Sequence, residues 1–187
     1  MEVRLSNLRR ATREDAGQLA AIAEATFRAT FAAVNTPEDM DLHCRASSGE
    51  AIQAEEIADP GRVTFLCEVG GRLVGFAQLR WGKKPCCGLD ADVPGEILRL
   101  YVIREMHGMG VAHELMNACM DEMASRRSDV VWLGGGERNP KAIAFYEKFG
   151  FREVGEQVFQ LGSDAQRDIV MARPTTTSRS GATRLSR

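Results

Sequence analysis

No two of the five cysteines (Cys44, Cys67, Cys86, Cys87, Cys119) stand at C-x-x-C spacing, and their number is odd. That pattern suggests neither a zinc site nor a disulfide framework, so a reducing cytoplasm and no bound metal are expected. An excess of charge is lacking too. A formal net charge of −2 offers no global attraction to nucleic acid or to an acidic membrane. The N-terminus has no apolar signal segment, and no apolar run approaches a membrane span. Internal repeats are absent. What remains is ordinary globular material, 44% hydrophobic and 27% charged, and 187 residues suffice for one domain with a real core but not comfortably for two.

Periodicity divides the chain. Val3 to Ala11 suits a strand, and Thr12-Arg13-Glu14-Asp15 opens a helix whose apolar positions Leu19, Ile22, Ala23, Phe27 and Phe31 keep helical spacing to about Ala33. Thr36-Pro37-Glu38-Asp39 starts a second helix, and Glu50 to Ala58 forms a third, closed by Asp59-Pro60-Gly61. From Arg62 the period becomes two, with Gly70-Gly71 as the turn of an antiparallel hairpin that returns over Leu73 to Trp81. Lys83 to Pro94 reads as a loop. A strand over Glu96–Ile103 and a helix from Val111 follow; then come a short strand Asp129–Leu133 released by Gly134-Gly135-Gly136, and a helix from Asn139-Pro140 to Phe149. Phe151–Leu161 and Asp168–Arg173 close the domain, expected over 1–173, and 174–187 reads as a disordered tail. The order predicts an α/β fold with a mixed, largely antiparallel sheet of six to seven strands flanked by helices, and one parallel pair around the 111–126 helix.

The stretch Gly95–Met123 carries the first chemical signal. A buried strand runs into Gly108 and Gly110, and a helix opens at once, with apolar Val111, Leu115, Cys119 and Met123 on one face. A helix start presents unpartnered N–H groups and the positive end of a dipole, so an anion is favoured there. Two nucleotide motifs do not fit: a dinucleotide fingerprint needs glycine or alanine at His113, and a Walker loop needs a Gly-Lys-Ser/Thr ending. Glycines that merely turn the chain remain an equal reading on local pattern alone.

The second signal is the run N-P-K-A-I-A-F-Y-E-K-F-G-F at 139–151. On a helix Asn139, Ile143 and Tyr146 share one face, while Ala142, Phe145 and Phe149 form a neighbouring apolar stripe. Asn139 and Tyr146 then lie roughly 10 Å apart along one side, a span that a long flexible ligand can follow.

Together with L-R-L-Y-V at 98–102 and H-G-M-G-V-A at 107–112, this run resembles the GNAT superfamily of acyl-CoA-dependent N-acetyltransferases, over nearly the whole chain apart from the tail. The resemblance implies acetyl-CoA as cosubstrate. Its pyrophosphate turn falls on His107, Gly108, Met109, Gly110, Val111 and Ala112, where His107 replaces the usual Gln or Arg and offers a route by which pH tunes affinity. Leu100, Tyr101 and Val102 match the strand whose main chain pairs with the pantetheine arm, Asn139 a cofactor contact, and Tyr146 the tyrosine beside the sulfur. Dimerisation through sheet edges or terminal strands is common in such folds.

An amine must lose a proton before it attacks a thioester, the oxyanion needs N–H donors, and the leaving thiolate benefits from an acid. Tyr146 is the candidate acid and Glu96 the candidate base, with a solvated strand-end glutamate as the equal alternative for Glu96. Cys119 reads as helix core, which favours direct transfer over an acyl-enzyme. The acidic segments at 36–40 and 55–60, with E-x-x-R-L-Y-V, are similar to the PaiA-type polyamine acetyltransferases, so a small amine or polyamine is the favoured acceptor. Acids in first helical turns also follow from the macrodipole alone. A protein N-terminus or lysine, and a non-catalytic acyl-CoA-binding module, stay open as alternatives. Nucleic-acid binding would rest only on Arg173, Arg179, Arg184 and Arg187, which suit a solvated tail.

Overall fold

Alternating apolar residues in the strands and three- to four-residue apolar spacing in the helices produce one seven-stranded sheet with helices on both faces. A computed structural model describes residues 6–85 and 87–175. In chain order the elements are β1 (Ser6–Arg10), α1 (Ala16–Phe31), α2 (Pro37–Ser47), α3 (Glu50–Ala58), β2 (Arg62–Val69), β3 (Arg72–Trp81), β4 (Pro94–Val102), α4 (Val111–Ser125), β5 (Val130–Gly136), α5 (Pro140–Lys148), β6 (Arg152–Leu161) and β7 (Asp164–Pro174). The strand order is β1-β2-β3-β4-β5-β7-β6, antiparallel except for the β4–β5 pair. The tail expected over 174–187 is shortened at its start, because Pro174 pairs with Val130; residues 176–187 lie outside the described part, as does the segment before Ser6.

Helix starts follow the local chemistry. The Thr36 hydroxyl accepts from the Asp39 N–H with Pro37 at the first helical position, and the Asn139 side chain accepts from the Ala142 N–H ahead of Pro140. The main core lies between the sheet and α4 with α5, built on Leu79, Ile97, Leu115, Met116, Cys119, Leu133 and Met171. The opposite face is covered by α1 and α2: Leu19, Ile22 and Ala23 pack on Leu66 and Phe76, and Phe27, Met40 and Cys44 pack on Leu161. No helix among the described residues is long and apolar enough to cross a membrane.

Two irregularities shape the middle of the sheet. β4 pairs with β5 only over Pro94–Glu96, opposite Val130–Trp132. Just beyond, Leu98 is an extra residue, since Leu79 pairs with Ile97 while Gln78 pairs with Arg99. Such a bulge bends its strand. The two strands therefore part, with Leu100 to Val102 on one side of the opening and Leu133 to Gly136 on the other.

The short strand expected over Asp129–Leu133 is corrected to Val130–Gly136. Gly134, Gly135 and Gly136 do not release it; they pair with Val170, Ile169 and Asp168 of β7. The reason lies across the sheet: a Cβ on Gly134 would fall 2.7 Å from Gln157 Nε2 and closer still to Asp168 Oδ2. Glycine here makes room for neighbouring side chains, the use of glycine within a strand rather than after it. Asp168–Arg173 likewise lengthens to Asp164–Pro174.

Candidate active site

One wall of the opening is backbone. The Ile103 N–H donates to the Val74 carbonyl at 2.9 Å, so Ile103, Tyr101 and Arg99 turn their main-chain groups toward β3. By the alternation of an antiparallel ladder, the N–H and C=O of Leu100 and Val102 face the gap toward β5. Their side chains pack with the α4 core, whereas Tyr101 points to the other face, stacked on Phe76 with 5.8 Å between ring centroids.

At the end of that strand the chain turns through Gly108 and Gly110, with φ of 78° and 89°, a conformation suited to glycine. Nothing lies within 4 Å of where a Cβ would stand on either one. Gly110 caps α4, and the first ladder bond runs from the Glu114 N–H to the Gly110 carbonyl. The N–H groups of Val111, Ala112 and His113 therefore have no helical acceptor. The Met109 N–H is already given to the Met106 carbonyl at 3.3 Å. His107 does not reach over the turn. Its Nε2 lies 2.9 Å from the Val102 carbonyl oxygen and donates to it, which binds the turn to the strand.

The α5 helix forms the next wall. Phe145 and Phe149 pack against His113 of α4, with centroids 5.3 and 5.4 Å away, and Tyr146 lies against Phe151 at 6.1 Å. Burial pushes the Tyr146 phenol up to about 12, with Cys119 and Asp168 adding to the rise. It holds its proton at neutral pH. Burial also pushes Tyr101 up, reinforced by Tyr146 and Asp168 and opposed by Arg99. Cys119 is fully buried and its thiol is pushed up for the same reason, as suits a core residue. Asn139 uses Oδ1 as the helix cap, 3.2 Å from the Ala142 nitrogen.

Glu96 stands where β4 and β5 part, 4% exposed, on the α1 side of the sheet. It is not a solvated strand end. Arg80 donates to both of its oxygens, from Nε to Oε2 and from Nη2 to Oε1 at 2.9 Å. Beside it Arg99 donates to Glu56, Gln78 and the Ser47 carbonyl. Three acids of the 36–40 and 55–60 segments are engaged internally as well. Asp39 accepts from the Ser163 N–H and hydroxyl, Glu56 pairs with Arg62 and Arg99, and Asp59 pairs with Arg62. Internal partners thus hold Asp39, Glu56 and Asp59; the helix dipole reaches Asp39 in the first turn of α2, whereas Glu56 and Asp59 lie at the end of α3.

The α1 side of the opening is aromatic and partly acidic. His43 stacks on Phe27 at 4.2 Å and tilts against Phe159; burial lowers its pKa, with Arg99 adding. Gly136 faces Phe31. An open depression of about 620 Å³, bordered by Asn35, Thr36, Asp39, Ser163 and Asp164, lies at the outer end of this face. Asp168, which periodicity did not single out, is buried on β7 opposite Gly136. Three consecutive glycines in a strand setting were the available signal for it.

The acetyltransferase (GNAT) family model matches residues 20–151. The chain belongs to the GNAT family and is an acetyltransferase. Over 159 residues this GNAT chain is 35% identical to an uncharacterized N-acetyltransferase of Mycobacterium tuberculosis, covering 85% of this chain and 97% of that one. Its fold is similar to the PaiA N-acetyltransferase of Thermoplasma acidophilum in complex with coenzyme A, with a TM-score of 0.74, 19% identity, and 91% and 99% of the two chains covered. A chimera of Vibrio cholerae spermidine N-acetyltransferase and hSSAT aligns with a TM-score of 0.64 and 21% identity, over 91% and 95%. At these identities the two structures speak for the fold of the GNAT chain alone. The expected mixed, largely antiparallel sheet of six to seven strands flanked by helices is present with seven strands, and so is the expected parallel pair.

Proposed function

We propose that this acetyltransferase moves the acetyl group of acetyl-CoA onto a primary amine by direct attack, with a small amine or polyamine as acceptor. The observation that carries the reading is the continuity of two features. The open glycine turn at the start of α4 runs directly back into the β4 edge whose N–H and C=O groups face the gap. Acetyl-CoA supplies the activated acyl group as a thioester. The N–H groups of Val111, Ala112 and His113, with the positive helix end, suit its pyrophosphate, and the absence of a Cβ at Gly108 and Gly110 admits it closely.

Leu100 and Val102 offer N–H donors along the opening for the thioester oxygen as it gains charge. In a preorganised site such donors are worth several kcal/mol, of the order of 2.7–4 for one oxyanion contact. Tyr146 serves the leaving sulfur. Full proton transfer from a phenol near 12 to an ordinary thiolate near 8.5 is uphill, so the phenol acts first as a hydrogen-bond donor. Desolvation of the thiolate narrows that gap.

The acceptor approaches from the α1 side, where the depression bordered by Asp39 and Asp164 favours a cation. Glu96, held on both oxygens by Arg80, fixes the point where the strands part. The test is acetyl-CoA-dependent thiol release against polyamines, amino acids, aminoglycosides and peptides. Release with a small amine is the expected result. Release only with peptides would move the acceptor to protein, and tight coenzyme A binding with no release at all would make the site non-catalytic.

A further inference from the structure

We propose that Asp168 receives the acceptor's ammonium group and takes its proton, a role that rests on the amine-acetylating reading above. Side-chain alternation along β7 fixes its direction. Ile169 and Met171 enter the α4 core while Val170 and Ala172 pack with Trp132 on the opposite face, so Asp168 shares the acceptor face.

Its reach is set by Gly134. Although Asp168 is registered against Gly136, its Oδ2 fills the space that a Cβ on Gly134 would need. The carboxylate thus lies lengthwise over β5, the strand that forms one wall of the opening. Gln157 of β6 leans over the same glycine and donates from Nε2 to Asp168 Oδ2 at 3.3 Å. The charge of Asp168 is felt by both Tyr101 and Tyr146, whose phenols it helps to keep protonated.

The contrast with Glu96 decides between the two buried carboxylates. Glu96 has a guanidinium on both oxygens, so the place that an acceptor's ammonium would take is already filled by Arg80. Asp168 is 7% exposed, and among the described residues it makes no ion pair. Burial pushes its carboxyl up from the usual range, only partly opposed by the Gln157 bond. A buried carboxylate without a counter-ion is costly, and a bound alkylammonium removes that cost. In the reaction the ammonium N–H proton passes to an Asp168 oxygen and the freed lone pair attacks the thioester carbon. The C–N bond forms, the C–S bond breaks, the nitrogen's second surplus proton passes to the departing sulfur, which leaves as the thiol while hydrogen-bonded by Tyr146, and the Asp168 proton is then lost to solvent.

Two measurements on the full chain test the assignment. With a turned-over primary amine, Asp168→Asn should lower kcat/KM by about 10²–10⁴-fold and remove the acidic limb of its pH profile, while coenzyme A affinity by calorimetry stays within twofold. Gln157→Leu should move that limb to higher pH, because it removes the bond that lowers the Asp168 pKa. Tyr101 and Tyr146 are protonated across this range, and a limb owned by His43 would not follow Gln157. A wild-type profile in Asp168→Asn, an unmoved limb in Gln157→Leu, or coenzyme affinity falling in step with turnover overturns the proposal. The second measurement needs no turnover: butylamine added to the coenzyme-bound, carboxyl-13C-aspartate-labelled chain should shift the Asp168 signal, and a signal unmoved at saturating amine overturns it. Absence of thiol release by the wild type would instead count against the transferase reading.

Discussion

The His107 Nε2 nitrogen sits 2.9 Å from the Val102 carbonyl oxygen, so the residue that departs from the family's turn pattern clamps the turn to the strand it follows. A carbonyl only accepts, so His107 donates, and both its Nε2-H tautomer and its imidazolium can do so. Protonation adds charge beside the turn without breaking the clamp.

His107→Ala should therefore weaken coenzyme A binding. A hydrogen bond of about 0.5–1.5 kcal/mol corresponds to roughly two- to twelvefold in Kd. Calorimetry on wild type and His107→Ala at the same pH reads the clamp. An unchanged Kd would show that the turn holds its shape without His107.

Tyr146→Phe keeps the ring packing against Phe151 and removes only the hydroxyl. Single-turnover acetyl transfer should slow by about 10²-fold or more, with coenzyme A affinity unchanged. Parallel loss of both would assign Tyr146 to binding instead of chemistry.

Neighbouring glycines should respond differently to the same substitution. Gly134→Ala drives a methyl into Asp168 and Gln157 and should cost about 1–3 kcal/mol in urea unfolding, as overpacking does. At Gly135 the nearest atom to an added Cβ is Leu133 Cδ1 at 3.9 Å, so Gly135→Ala should stay within about 0.5 kcal/mol. Equal destabilisation would mean that the strand rejects side chains for a backbone reason.

Acid sensitivity should be traceable to Asp15. Arg9 donates to both Asp15 oxygens at 2.7 and 2.8 Å, and the Thr12 N–H adds a bond at 2.7 Å. The Arg9 bond is the main reason that the Asp15 pKa lies well below its ordinary value. A depressed folded pKa contributes stability that is complete above the unfolded value of about 3.9 and is lost as pH falls toward the folded one. The gap in urea midpoint between wild type and Asp15→Asn should thus be constant from pH 6 to 8 and narrow steadily as pH falls below about 4. A gap as wide at pH 2.5 as at pH 7 would deny the ionised carboxylate its role.

Much of this was legible in the chain because the signals were local. The Thr36-Pro37 and Asn139-Pro140 helix starts, the Gly70-Gly71 hairpin and the turn at Gly108–Gly110 each depend on a few adjacent residues. The Gly134–Gly136 run misled for the opposite reason. Its meaning lies in Asp168 and Gln157, more than twenty residues away in sequence, and local periodicity holds no record of what crosses from the next strand. The same distance hid the Arg80 clasp on Glu96, which joins two strands across a loop. A carboxylate at the head of a buried strand announces a partner, but not which one.

The extra residue at Leu98 works as a parity switch in β4. Before it, even positions such as Glu96 look toward the acceptor; after it, odd positions do, and Tyr101 takes over that side while Leu100 goes to the α4 core. Removing Leu98 would take out the bend and leave each later side chain on its own side, because Ile97 and Arg99 already face opposite ways. The extra residue thus serves the parting of β4 from β5, and ordinary alternation on either side of it keeps the two faces of the strand apart.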